Sequence, residues 1–240
     1  IQDGQKYIHR TMANFRPELI FHYGGKFSEL TTDDSIQPTF ITGIHGQTDK
    51  IRRFIATDKY GIFGVILQPY AIPLLFGISS LETSNRLLDL PSILVADGVR
   101  LTERMVTAND NSTRIHIINH FLNRKLQDYK RPEIINVVQL ICKKNGMVDV
   151  QKMAMQAFLS QRQFERNFKE LIGFNPKTFA RLVRFKSLIR NYSKRDKSLT
   201  RIAYDFGYYD QSHFIQEFKS FSGYKPNTYF SGGANEIFYS

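Results

Sequence analysis

Apolar and polar positions alternate with different periods in the two parts of the chain. Early on, the runs ELIFHYGG (18–25), PTFITGIHG (38–46) and RRFIATDKYGIFGVILQP (52–69) are rich in β-branched and aromatic residues and punctuated by Gly, Pro and Asp. This pattern predicts a set of antiparallel strands. From about Leu74 the spacing changes to that of helices, through LLFGISSLETSNRLLDL, VRLTERMVTA and STRIHIINHFLNRKLQDY. In the last of these, Ile115, Ile118, Phe121, Leu122 and Leu126 fall on one predicted face. A small antiparallel sheet followed by helices makes residues 1–129 an α+β domain.

Beyond residue 130 the spacing is helical throughout, and it repeats. SQRQFERNFKELIGFNP begins at Ser160, and DQSHFIQEFKSFSGYKP begins at Asp210. Phe164, Phe168, Lys169, Gly173 and Pro176 recur as Phe214, Phe218, Lys219, Gly223 and Pro226. Upstream, MAMQAFL (153–159) corresponds to IAYDFGYY (202–209), with one extra residue in the second turn. Each copy parses as two short helices with a tight turn between them. Ser160 and Gln163 form an S-x-x-Q capping box, and Ser198 or Thr200 and then Asp210 cap the helices of the second copy. Gly207 ends a helix by accepting positive φ. Ala154 and Ala203 stand where two helices must cross closely.

Two helices of this size cannot bury their own apolar faces. Between the copies, Asn175-Pro176 starts a helix in which Phe179, Leu182, Val183, Leu188, Ile189 and Tyr192 form an apolar stripe, with Arg181, Arg184, Lys186 and Arg190 opposite. Ile134, Ile135, Val138, Leu140 and Ile141 form another amphipathic helix, and SKRDKS (193–198) is a polar connector. Residues 130–230 therefore read as an all-α domain of two helix-turn-helix units joined by a linker helix, followed by a tail at 231–240.

Charge sharpens the division. Residues 130–240 hold 19 Lys and Arg against 9 Asp and Glu, whereas residues 1–129 hold 14 against 13. Nearly all of the formal charge of +11 sits in the helical part, which suits a polyanionic partner such as nucleic acid. The opening IQDGQKYIHR lacks the apolar core of a signal peptide and no run has the length to cross a bilayer, so a cytoplasmic protein with no membrane partner is expected.

The segment from about Arg131 to Phe230 resembles the DNA-binding domain of AraC/XylS-type regulators. The carrying stretch is IAYDFGYYDQSHFIQEFKSFSGYKPNTY (202–229), with I-A, G-[FY], D-Q-S-x-F, F-K and G-x-x-P-x-x-Y in register, and LSQRQFERNFKELIGFNPKTF (159–179) matches around the first unit. One departure is Phe158, where the family usually has Gly, so a reshaped turn or an apolar docking of the ring is expected there. The wording of residues 1–129 is more loosely similar to sensor-like domains on such regulators. The resemblance implies a bacterial transcription regulator, an activator, that binds double-stranded DNA and contacts RNA polymerase, with an N-terminal domain that binds a small effector, forms a homodimer, or both. The alternative is an effector-independent regulator whose N-terminal domain only dimerises or contacts a partner protein.

The resemblance also implies that the second helix of each unit enters a major groove, adjacent grooves lying roughly 34 Å apart. With Phe164 and Phe168 turned inward, Gln161, Arg162, Glu165 and Arg166 face outward. Arg162 and Arg166 suit guanine or phosphate, and Glu165 suits cytosine N4. With Phe214 and Phe218 inward, Gln211, Ser212, His213 and Gln216 face outward, the glutamines suiting adenine. Lys169, Arg184, Lys186 and Lys219 are assigned to phosphate or solvent.

Enzyme chemistry finds no foothold. There is no phosphate loop, nucleophile–base pair or carboxylate pair, and no cofactor is expected. His116 and His120 have metal-compatible spacing, but Ile117, Ile118 and Asn119 lie between them, so structural histidines are expected there, as at His22 and His45. Cys142 is the single cysteine. It excludes a disulfide or a multi-cysteine metal site and reads as half-buried, with nearby lysines able to lower its pKa.

Overall fold

The computed structural model describes residues 6–57, 59–126, 132–191 and 198–232. The first part holds β1 (Tyr7–Thr11), β2 (Glu18–His22), β3 (Ser28–Leu30), β4 (Ile36–Pro38), β5 (Thr42–His45), β6 (Arg52–Ala56) and β7 (Ile62–Ile66). It continues through α1 (Ala71–Phe76), α2 (Ser80–Thr83), β8 (Leu87–Asp89), α3 (Leu90–Leu94), α4 (Ala96–Thr107) and α5 (Asn111–Lys125). The strands form two antiparallel four-stranded sheets, ordered β1-β6-β3-β4 and β7-β2-β5-β8.

The α+β class is as the sequence predicts, but the β portion is larger than one small sheet. β1 was hidden in a polar opening, and β8 lies inside a stretch read as helical. Gly77, at φ 67°, ends α1, and Asn85, at φ 60°, turns the chain back. Leu87, Leu88 and Asp89 then pair with His45, Ile44 and Gly43.

Strand alternation decides what each sheet face does. On β2, Leu19 and Phe21 join Ile44 of β5 in a core with Ile72, Leu90, Leu101, Met105, Ile118 and Phe121 from the helices. Glu18, Ile20 and His22 point the other way and, with Tyr7, His9 and Thr11 of β1, line a cavity between the sheets. The buried face of α5 differs from the predicted one. Arg114, Ile117, Ile118 and Phe121 are buried, while Ile115 and Leu126 stay 49% and 64% exposed. Arg114 accounts for the shift. Its guanidinium donates to the Met105 carbonyl at 3.1 Å and the Ala108 carbonyl at 2.6 Å, satisfying the open end of α4, and it lies 3.9 Å from the Tyr23 ring centre.

The second part is helical: α6 (Pro132–Lys143), α7 (Val150–Gln156), α8 (Gln161–Ile172), α9 (Pro176–Asn191), α10 (Leu199–Asp205), α11 (Gln211–Ser222) and α12 (Pro226–Phe230). The sequence boundary at 129/130 and most of the connector fall outside the described residues, as does the tail from 233. One core runs through this part and takes in Met12, Ala13 and Phe15 from the N-terminal domain, with Phe15 edge-on to Phe179 at 5.5 Å.

Candidate nucleic-acid interface

The repeat becomes two equivalent helix pairs, α7–α8 and α10–α11. The predicted capping box is present: the Gln163 backbone N–H donates to Ser160 Oγ, and the Ser160 N–H donates to Gln163 Oε1 at 3.3 Å. Asp210 caps α11 by accepting from the His213 N–H at 2.7 Å, and Ser198 caps α10. Ala154 and Ala203 are buried at the helix crossings. The aromatic packing repeats as well. Phe164 and Phe168 are 5.6 Å apart in the first unit, and Phe214 and Phe218 are 5.8 Å apart in the second.

With these phenylalanines buried, Gln161, Arg162, Glu165 and Arg166 on α8 and Gln211, Ser212, His213 and Gln216 on α11 are exposed. Each group occupies the N-terminal half of its helix. Gln161 Nε2 donates to Glu165 at 2.6 Å, and Gln211 Oε1 accepts from Thr200 at 2.6 Å, so these three of the eight are already oriented. Lys169 and Lys219 are exposed further along the same helices.

Arg184 and Lys186 lie apart from this surface. Arg184 donates to the Gly207 carbonyl at 3.0 Å and lies 5.2 Å from the Tyr208 ring centre, buttressing the second turn. Lys186 lies in a cleft between the domains with Arg16 and Glu18. Burial lowers its pKa and raises that of Glu18, and the opposite charges offset part of both effects. Arg184 and Lys186, assigned from sequence to phosphate or solvent, are instead spent on tertiary contacts, as is Arg181, because both units and the N-terminal domain pack around α9, while Arg190 stays exposed.

Phe158 keeps the turn that Gly207 makes. Its φ is 53° against 69° for Gly207. The following residues bond back alike, Leu159 N–H to the Ala154 carbonyl and Tyr208 N–H to the Ala203 carbonyl. The ring is 95% exposed, so the turn is neither reshaped nor docked.

The sheets enclose a cavity of about 530 Å³ whose wall includes Tyr7, Phe27, Phe40 and Tyr60 together with His9, His22 and His45. Tyr7 and Tyr60 stack at 5.5 Å, and Phe27 meets Tyr60 edge-on at 4.7 Å. His45 is held neutral, its pKa pushed down to about 3 by burial and by nearby Arg52 and His9, and burial also lowers that of His22. Sequence reading took His22 and His45 as packed or solvated and did not single out His9; strand alternation turns His22 and His45 to one face of their sheet, and His9 meets them from the facing sheet. His116 and His120 are exposed, and among the described residues no group of His, Cys, Asp and Glu could hold a metal ion. Cys142 is partly buried, and burial raises its thiol to about pKa 11, opposite to the expected lowering. No helix among the described residues is long and apolar enough to cross a membrane.

Residues 153–232 match the helix-turn-helix domain family. With two equivalent units on one linker helix, this defines the class of the C-terminal part: a DNA-binding helix-turn-helix domain of the AraC type. Among individual proteins, the chain is 25% identical over 228 residues to the probable transcriptional regulator LumQ of Photobacterium leiognathi, covering 89% of this chain and 88% of that one. It is 25% identical over 135 residues to an uncharacterised HTH-type transcriptional regulator of Haemophilus influenzae, covering 53% of this chain but only 45% of that protein. ToxT of Vibrio cholerae O395, solved bound to (E)-4-(8-methylnaphthalen-1-yl)but-3-enoic acid, is similar in fold with a TM-score of 0.50, 14% identity and 96% coverage of both chains.

Proposed function

We propose that this protein is a sequence-specific regulator, an activator acting with RNA polymerase, that reads two successive major-groove segments with α8 and α11. The observation that carries the reading is the matched exposure of polar side chains on the N-terminal halves of two equivalent helices. Arg162 and Arg166 are one helical turn apart and reach guanine edges or phosphates; Gln211 and Gln216 offer the paired donor and acceptor that adenine requires. Lys169 and Lys219 supply sequence-independent attraction to the backbone.

The cavity supports a small effector as the controlling input. At about 530 Å³ it has the size of ordinary ligand sites, and its aromatic walls with a few polar groups have their usual chemistry. ToxT was solved with an acid bound. In this chain the cavity shares His9, Thr11, Glu18 and His45 with the smaller interdomain cleft that holds Arg16 and Lys186, so an acid with an apolar body has cations within reach.

Selection of sites from random duplexes by the full-length protein tests the DNA reading. A motif of two blocks about one helical turn apart is expected; enrichment without sequence preference would overturn it. Mass spectrometry of small molecules released from the purified protein tests the effector. A protein that carries none and is not stabilised by apolar acids would be the dimerising, effector-independent regulator.

A further inference from the structure

The two helix-turn-helix units present the same backbone carbonyl to the N-terminal domain. Leu171 and Phe221 occupy equivalent places in the repeat, next to the last residue of α8 and of α11. The Leu171 carbonyl accepts from Ser80 Oγ of α2 at 2.6 Å, and the Phe221 carbonyl accepts from the Ala13 N–H at 2.9 Å. The equivalence continues through the next turn. Gly173 and Gly223 close the two helices at φ 82° and 79°. A Cβ at Gly173 would lie 1.8 Å from Ser84 Oγ, and one at Gly223 would lie 3.0 Å from the Arg10 guanidinium. Ser79 Oγ adds a bond to the Glu170 carbonyl at 3.2 Å, and the Arg10 guanidinium lies 4.4 Å from the Tyr224 ring centre.

Local helix chemistry does not require this. The last carbonyls of a helix lack intrahelical partners and are ordinarily satisfied by water or by their own C-terminal turn. Here one domain satisfies the same carbonyl in both units, and Ser80 is completely buried in doing so. The holds grip the C-terminal ends of the helices whose N-terminal halves carry the exposed polar residues. A twelve-residue helix is about 18 Å long, so a tilt of a few degrees at the held end displaces the reading end by about 1 Å. That is enough to spoil a bidentate contact to a base edge.

We propose that the N-terminal domain sets the groove-to-groove spacing that this protein reads, with Ser80 and Arg10 as positioning residues that hold α8 and α11 at one fixed separation and tilt. The proposal rests on the reading that both helices enter grooves. The second hold follows directly from β1, whose Thr11 lines the cavity and is two residues from Ala13. A change in the cavity therefore has a short path to the geometry of α11.

The test uses full-length protein and the two-block site obtained by selection, with its native spacer and with spacers one and two base pairs shorter and longer. Dissociation constants are measured at one salt concentration for wild type, Ser80→Ala, Arg10→Ala and the double variant. The expected result is a ratio between shifted and native spacers that falls about fivefold for Ser80→Ala, the worth of one hydrogen bond, and about threefold for Arg10→Ala, the worth of one cation–π contact, while binding to the native spacer changes far less. Ser80→Cys and Arg10→Met keep side-chain volume and replace any variant that fails to give a wild-type circular dichroism spectrum. An unchanged ratio in the double variant, or equal weakening on every duplex, would overturn the proposal and leave α9 as the sole determinant. A wild-type protein with no two-block preference would sink the groove reading itself.

Discussion

Arg181 and Glu217 tie the linker helix to the second recognition helix: Arg181 Nε donates to Glu217 Oε2 at 2.5 Å. The carboxylate is only 1% exposed while the arginine side chain keeps 38% of its surface in water. His213 Nε2 stands 3.8 Å from the same oxygen, so one buried charge sits between the linker and an exposed side chain of α11. Removing the arginine strands that charge. Arg181→Met should destabilise the protein by about 2 kcal/mol, below the full value for a buried pair because the guanidinium is partly solvated. Glu217→Gln should cost less, and the double variant should fall short of the sum by about 1–3 kcal/mol. Urea unfolding of the four proteins measures this, and strict additivity would mean the two residues do not act as a pair.

If α8 and α11 enter grooves as proposed, their side chains should separate into two kinds of contact. Arg162→Ala should weaken binding by about 1–3 kcal/mol and relax preference at one base pair. Lys219→Ala should weaken binding to all sequences alike and reduce the salt slope by about one. Titrations on the selected site and on single-base variants, at several salt concentrations, distinguish the two. Uniform weakening by Arg162→Ala would reassign it to phosphate.

The helical domain was legible because its rules are local and appear twice. Phe164 and Phe214 are buried for the same reason, and Ser160 and Asp210 cap by the same geometry. What escaped the sequence depends on distant partners. Lys186 looks like any solvated lysine until Glu18 and Arg16 are brought beside it. Arg114 looks like a surface residue until the end of α4 arrives above it. β8 carries the wording of a helix, and only β5 makes it a strand. The holds on Leu171 and Phe221 use backbone carbonyls, which no side-chain pattern reports.

Phe158 offers a gain in stability. A non-glycine residue in the left-handed region costs about 1–2 kcal/mol, and a ring 95% exposed contributes almost no packing in return. Phe158→Gly should therefore stabilise the folded protein by about 1 kcal/mol, less than the full strain because glycine loses more entropy on folding. A chain of this size should then melt about 2–4 °C higher. A calorimetric scan that showed a lower melting temperature would mean that the ring packs against something in the folded protein.

The cavity histidines should make the protein acid-sensitive. Burial and nearby Arg52 and His9 push the pKa of His45 in the folded protein from 6.5 down to about 3. Below the unfolded value the denatured chain binds a proton that the folded protein refuses. The stability linked to this group is therefore complete above pH 6.5 and is lost as the pH falls towards 3. The slope approaches about 1.4 kcal/mol per pH unit. His22, also lowered by burial, acts in the same direction. Between about pH 5 and 6.5 ordinary carboxylates have finished titrating, and Glu18, raised by burial, is common to wild type and variant, so the difference between their slopes reports His45. His45→Gln should flatten the dependence of unfolding free energy on pH there by close to one proton, with His22 accounting for part of the remainder. Urea unfolding at three pH values in this interval gives the slopes; equal slopes in wild type and variant would mean that His45 takes its proton in the folded cavity.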